Sequence, residues 1–168
     1  KDDYNIFSFR IKRKPVYLPK NYYVFHFDEK WLKNLYFNNY TDIEPSQKEL
    51  VFFLNKLSNK IKTDLIVSTG KSIPNTLNSI SNYLSKNITI LDKIDYNQLE
   101  KVISFSSFLI SCHGFSSHIA SAYNISQLDI IEHKFKKDFK KITEHFRKYK
   151  FIYRKKFSNL SNEILKNL

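Results

Sequence analysis

The sequence has no methionine, two glycines, four prolines and a single cysteine. Each shortage excludes something. One cysteine cannot close a disulfide within the chain. No apolar run approaches the ~20 residues needed to cross a bilayer, and the first residues do not form a charged-then-apolar secretory segment. All three fit a soluble, reducing, cytoplasmic setting. The scarcity of glycine removes a phosphate-loop signature: "STGKS" (68–72) ends as that motif does, but the motif needs a glycine five residues before Gly70, and that position is Leu65. No Asp-x-Asp metal motif occurs. With Lys1 in first place and no methionine anywhere, the chain is expected to be a piece of a longer polypeptide.

What is abundant is positive charge. The 168 residues carry 28 Lys and Arg against 16 Asp and Glu, a net charge of +12 and an isoelectric point near 9.6. Such a balance suits phosphate, nucleic acid or an anionic membrane. Lys, Asn, Ile, Phe and Tyr are also the residues of A- and T-rich codons, so genomic composition accounts for the charge equally well.

Length suits one domain that buries roughly two thirds of its unfolded surface. The opening 20 residues, with Pro15, Pro19 and the basic "FRIKRKP", read as a linker or edge segment, and residues 21–168 as one domain. Within it, "YYVFHF" (22–27), "DLIVST" (64–69), "ITIL" (88–91), "FLISC" (108–112), "QLDIIE" (127–132) and "KFIYR" (150–154) have the apolar, β-branched and aromatic character of strands.

Amphipathic segments separate them. "EPSQKELVFFLNKLSNKIK" has Ser46 and Glu49 in capping-box spacing and Leu50, Leu54, Leu57 and Ile61 on one face. A second helix is expected from Pro74, with Leu77, Ile80 and Leu84 aligned, and a third after the Asp95/Gln98 pair. A small-residue helix "SSHIASAY", a long basic helix "FKKDFKKITEHFRKY" and a final "NLSNEILKNL" complete the series. Alternating strands and helices predict an α/β, doubly wound parallel sheet, because a parallel pair needs a crossover and the helix provides it. Ligands bind such sheets outside the carboxyl ends of the strands, beside helix N-termini.

Those turns hold the candidate chemistry. In "HGFSSHIA" (113–120), Gly114 permits a close backbone approach, Ser116 and Ser117 are placed to cap the helix or donate to phosphate oxygens, and His118 falls in the first turn. Caps and a backbone-bonded histidine would explain the same residues without a ligand. Cys112 and His113 are neighbours at a strand end and should face opposite ways, which argues against a thiolate nucleophile. Gly70 allows a turn, and Lys71 is either solvated or a phosphate contact.

The stretch from Leu91 to Glu132 resembles the C-terminal half of GT-B glycosyltransferases, in particular the heptosyltransferase-like family. There a capped helix and a strand lead into Asp-Ser/Thr-Gly-x-x-His-x-Ala and a small-residue helix. His118 and Ala120 match; the family's Asp falls on His113, its Ser/Thr on Gly114 and its Gly on Phe115. "VFHFDEKW" (24–31) is similar to the family's strand, His and polar loop with a Lys close to a Trp. The resemblance implies a Rossmann-like domain that binds a nucleotide-sugar through Lys30, His113, Gly114, Ser116, Ser117 and His118, with His26, Gly70 and Lys71 as further candidates and Trp31 packed behind the loop.

It further implies metal-independent transfer of the sugar to a hydroxyl of a glycan or glycolipid, in surface polysaccharide or lipopolysaccharide assembly. No metal and no cofactor beyond the donor are expected. An N-terminal domain of the same polypeptide would bring the acceptor and the base, at the inner face of a membrane. The rival reading is a basic module for nucleic acid or anionic membrane, built on "KFKKDFKK" (134–141) and "FRKYKFIYRKKF" (146–157). A sugar-nucleotide epimerase, or a half-domain without catalysis, would share the fold.

Overall fold

The computed structural model describes residues 17–33, 39–70, 74–78 and 80–168. Six strands form one parallel sheet: β1 (Tyr22–His26), β2 (Asp64–Ser68), β3 (Ile88–Leu91), β4 (Phe108–Cys112), β5 (Ser126–Ile131) and β6 (Tyr149–Tyr153). Their order is β3-β2-β1-β4-β5-β6. The chain winds outward from β1 in one direction, returns, and winds outward in the other. The reversal leaves β1 beside β4, with His26 level with Ser111. The doubly wound α/β class expected from the sequence is therefore the fold observed.

Alternation along the strands divides the core in two. Phe25, Leu65, Val67, Ile110, Leu128 and Ile130 meet α1 (Gln47–Ile61) and α5 (Phe157–Lys166) on one face. Val24, Ile66 and Leu109 meet α2 (Tyr96–Ser104) and α3 (Phe115–Ala122) on the other. Helix α1 begins where the sequence places it: Ser46 Oγ accepts from the Glu49 amide, and the Glu49 carboxylate accepts from the Ser46 amide. It buries Leu50, Phe53, Leu54 and Leu57, each contributing about 1.5–3 kcal/mol of apolar transfer. Asp95 and Gln98 cap α2 in the same reciprocal way. Among the described residues no helix is long and apolar enough to cross a membrane.

Two expected helices differ. The segment after Pro74 forms only two 3-10 turns, Asn75–Leu77 and Ser81–Tyr83. Its backbone is engaged elsewhere: Gln47 Nε2 donates to the carbonyls of Asn75 and Asn78, and Asn55 bonds the Tyr83 carbonyl and the Ser85 amide. Leu77 and Ile80 still reach the core. The long basic helix is cut to α4 (Lys136–Ile142). Thr143 Oγ1 bonds back to the Phe139 carbonyl, and the chain turns there to bury Phe146 before entering β6. The segment 1–16, with its basic cluster, lies outside the described residues.

A buried cation ties the loops at the carboxyl edge. From the end of β6, Arg154 donates to the Lys30 carbonyl (2.9 Å) and the Thr41 carbonyl (3.1 Å), and its guanidinium lies 3.5 Å from Cys112 Sγ. Glu132, also buried, accepts from the Thr41 amide and sits 3.9 Å from Arg154 Nε. Removing one member strands the other charge. Arg154→Met is expected to cost about 3 kcal/mol in urea unfolding and to speed exchange of the Thr41 amide. An unchanged exchange rate would show that the loop is held by other contacts.

Candidate functional site

Adjacent β1 and β4 bring the two stretches singled out in the sequence side by side. After β1, Asp28 caps a 3-10 turn, Glu29–Trp31, by accepting from the Lys30 amide. Trp31 turns inward, fully buried against Phe25, Phe27 and Phe157, and its indole N-H donates to the His26 carbonyl at 2.9 Å. That anchor leaves Lys30 facing the other way, toward the turn after β4.

The turn is shaped to receive it. A Cβ on Gly114 would stand 2.7 Å from Lys30 Cε and 3.3 Å from its Nζ, so the bare glycine lets the end of the lysine lie close over the backbone, and a side chain there would push that flexible end aside. Gly114 is the residue from which α3 starts, and the Lys30 ammonium therefore rests at the positive end of that helix. Two positive features converge on one point. Ser116 Oγ, on the first turn of α3, is buried with no hydrogen-bond partner among the described residues.

Lys30 also meets the Asp28 carboxylate in a tight ion pair. Burial opposes ionisation of Asp28, but hydrogen bonding and charge from His26 and Lys30 prevail and hold its pKa at about 2. Burial likewise works against the Lys30 ammonium, and the Asp28 charge and hydrogen bond outweigh it, raising the lysine pKa. His26 lies beneath the site: its Nδ1 shares a 2.9 Å hydrogen bond with Ser68 Oγ, and its Nε2 stands 3.4 Å from Asp28. It is buried and positions Asp28.

On the opposite side of β4, Asp129 of β5 is wholly buried and accepts three hydrogen bonds: His113 Nδ1 at 2.7 Å, Ser117 Oγ at 2.8 Å and Ser111 Oγ at 3.1 Å. His113 is thereby clamped. Its ring packs on Phe139 (4.9 Å between centroids) and on His118 (5.7 Å). Burial, then the neighbouring His113 and His145, lower the His118 pKa below its ordinary 6.5, leaving that ring neutral at physiological pH.

Of the two expected serine caps, one forms. With Gly114 as N-cap of α3, Ser117 reaches back, its Oγ accepting from the Gly114 amide at 3.3 Å while donating to Asp129, whereas Ser116 Oγ makes no such bond. Around the start of α3 the structure thus sets Lys30 against Gly114, joins His113 and Ser117 through Asp129, and packs His118 on His113. Gly70 lies beside Glu29, where a Cβ would make ordinary contact at 3.5 Å. Lys71 lies outside the described residues. Cys112 points into the α1/α5 core, away from His113, and burial pushes its thiol up to about 12, which rules it out as a nucleophile.

Asp28 and Asp129 were not among the expected site residues. Asp129 carried a readable signal, since an acid inside the apolar run "QLDII" must find partners when buried. Asp28 did not: an acid in a polar loop is ordinarily solvated.

No protein-family model and no curated protein matches the sequence. Solved structures do. UDP-GlcNAc 2-epimerase from Methanocaldococcus jannaschii superposes with a TM-score of 0.57 at 9% identity, over 90% of this chain and 39% of that one. E. coli heptosyltransferase WaaC with ADP superposes with a TM-score of 0.52 at 10% identity, over 88% and 44%. The chain spans less than half the length of either structure. At such identity the likeness is one of fold: the chain has the Rossmann-like architecture of one half of the GT-B proteins.

Proposed function

We propose that this chain is the donor-binding half of a metal-independent glycosyltransferase and holds the diphosphate of a nucleotide-sugar at the reversal point between β1 and β4. The observation that carries the reading is the Lys30 side chain lying across Gly114 at the N-terminus of α3. A fixed ammonium and a helix N-terminus aimed at one point are what an anion needs. Both structural neighbours fit: one is a UDP-GlcNAc 2-epimerase, and the other is a heptosyltransferase solved with ADP.

In the transfer, the acceptor oxygen attacks the anomeric carbon and the bond from that carbon to the diphosphate oxygen breaks. The bonding electrons leave with the diphosphate. Lys30, the first amides of α3 and a hydrogen bond from His118 would meet that charge. The acceptor proton passes to a base on the partner half, which also brings the glycan or glycolipid hydroxyl. Surface polysaccharide or lipopolysaccharide assembly, at the inner face of the membrane, is the setting that suits such an acceptor. Epimerisation of the same donor class is the second reading, favoured by the 2-epimerase fold match. Product analysis with a nucleotide-sugar separates the two, since an epimerase needs no acceptor.

A contact with an anionic surface is compatible with either. Phe135 and Ile142 are exposed amid Lys134, Lys136, Lys137, Lys140 and Lys141 around α4, an arrangement suited to a lipid headgroup layer.

Calorimetric titration with ADP, GDP, UDP and CMP at physiological salt tests the site. Saturable binding of one nucleotide is expected, with Lys30→Ala weakening it about tenfold or more through loss of a charged hydrogen bond. Equal, salt-sensitive affinity for any polyanion would overturn the donor reading in favour of the basic-surface one. Gly114→Ala should weaken binding less than Lys30→Ala, because an added Cβ displaces only the flexible end of the lysine while Lys30→Ala removes its charge, and the double variant should weaken it about as much as Lys30→Ala alone. His118 gains its proton only on acidification below 6.5, so affinity should rise as pH falls through that range and His118→Gln should flatten the rise.

A further inference from the structure

Along its outer side α1 borders a groove that the anion site does not use. Residues of α1 from Gln47 to Asn59 form one bank, and Ile80 with Tyr83 of the following 3-10 turn forms the other. The groove has a volume of about 770 Å³. It follows the helix for about 18 Å, at 1.5 Å per residue. The two banks are pinned together. Asn55 Nδ2 donates to the Tyr83 carbonyl at 2.9 Å, its Oδ1 accepts from the Ser85 amide at 2.8 Å, and Gln47 Nε2 donates to the Asn78 carbonyl at 3.0 Å. A groove already fixed in shape loses little in ordering itself around a partner.

Its lining is apolar below and aromatic on both sides. Ile80 is buried and Val51 half-buried, while Phe52 and Tyr83 stand 68% and 70% exposed, one on each bank. Large aromatics left in water over an apolar floor are what a protein partner anchors on. The charge along the groove has one sign. Lys48 and Lys56 lie on the α1 bank, with Lys56 Nζ 5.7 Å from the centre of the Phe52 ring, and among the described lining residues there is no acid. Complementarity therefore selects an acidic partner. A second copy is disfavoured, since each chain carries a net charge of +12. A phosphate backbone would use the lysines and leave the apolar floor in water.

We propose that this groove is the docking site for an acidic amphipathic helix of a partner protein. Apolar side chains of that helix, spaced three and four residues apart, lie between Phe52 and Tyr83. Lys48 and Lys56 are separated by two turns, about 12 Å along the axis, so carboxylates seven or eight residues apart on the partner meet both.

The test selects from a displayed library of 14-residue amphipathic helices with a fixed leucine face, the flanking positions varying among Glu, Lys, Gln and Ser. Sequences with Glu two turns apart should be enriched on the unaltered chain. The enriched peptide, made synthetically and followed by fluorescence anisotropy, should lose about tenfold or more in affinity to Phe52→Ala and to Tyr83→Ala. The paired charge reversal Lys48→Glu and Lys56→Glu should favour the Lys-bearing version of the same peptide. Both aromatics are exposed, so these variants should fold, which thermal melts check. No enrichment, enrichment indifferent to charge, or affinity untouched by Phe52→Ala and Tyr83→Ala would overturn the proposal. So would a short single-stranded DNA that displaces the peptide and loses affinity equally in Phe52→Ala, or self-association of the chain that Phe52→Ala abolishes, since each would give the groove a different occupant.

Discussion

The lysine that crosses a glycine is the contact on which the rest of the site depends. Three conditions place Lys30 at the start of α3: Gly114 puts no Cβ in its path, Trp31 anchors the loop from below, and Asp28 holds the ammonium against the loss of its hydration. Two of them come from the turn after β1 and one from the turn after β4. They meet because β1 and β4, distant in sequence, are hydrogen-bonded neighbours in the sheet.

That placement is costly, and its compensation is visible. A lysine and an aspartate taken largely out of water would lose more in hydration than a bare Coulomb attraction returns, so the pair is built into a chain of hydrogen bonds running through His26 to Ser68. Asp129 is treated similarly, with three donors converging on its two oxygens. Arg154 and Glu132 complete the pattern one strand further out. These buried charges lie at or near the carboxyl edge, while the two layers between sheet and helices are almost wholly apolar.

Much of the scaffold was legible because local rules and the tertiary result agree. Both capping boxes formed as their spacing indicates, and the six apolar runs became the six strands with boundaries shifted by a residue or so. Disagreement arose where a distant side chain competed for the backbone. After Pro74 the aligned Leu77 and Ile80 suggest a helix, but the intervening Asn and Ser are weak helix formers, and Gln47 and Asn55 of α1 capture the carbonyls a helix would use. Around α4, burial of Phe146 outweighed the helical preference of the surrounding lysines.

Sequence by itself determined the class of the fold and the two places where chemistry could concentrate, because strand and helix periods, caps and turn residues act over a few positions along the chain. It also marked Gly114 and His118 by residue type, and Lys30 through the resemblance of the loop after the first strand. Only the tertiary structure decided that Lys30 and Gly114 touch, that Asp28 holds Lys30 and Asp129 holds His113 and Ser117 in place, and that Phe115 meets Tyr96. The reason is the winding of the sheet: strand order sets which loops are neighbours, and it is fixed by crossovers that bring together residues far apart in sequence.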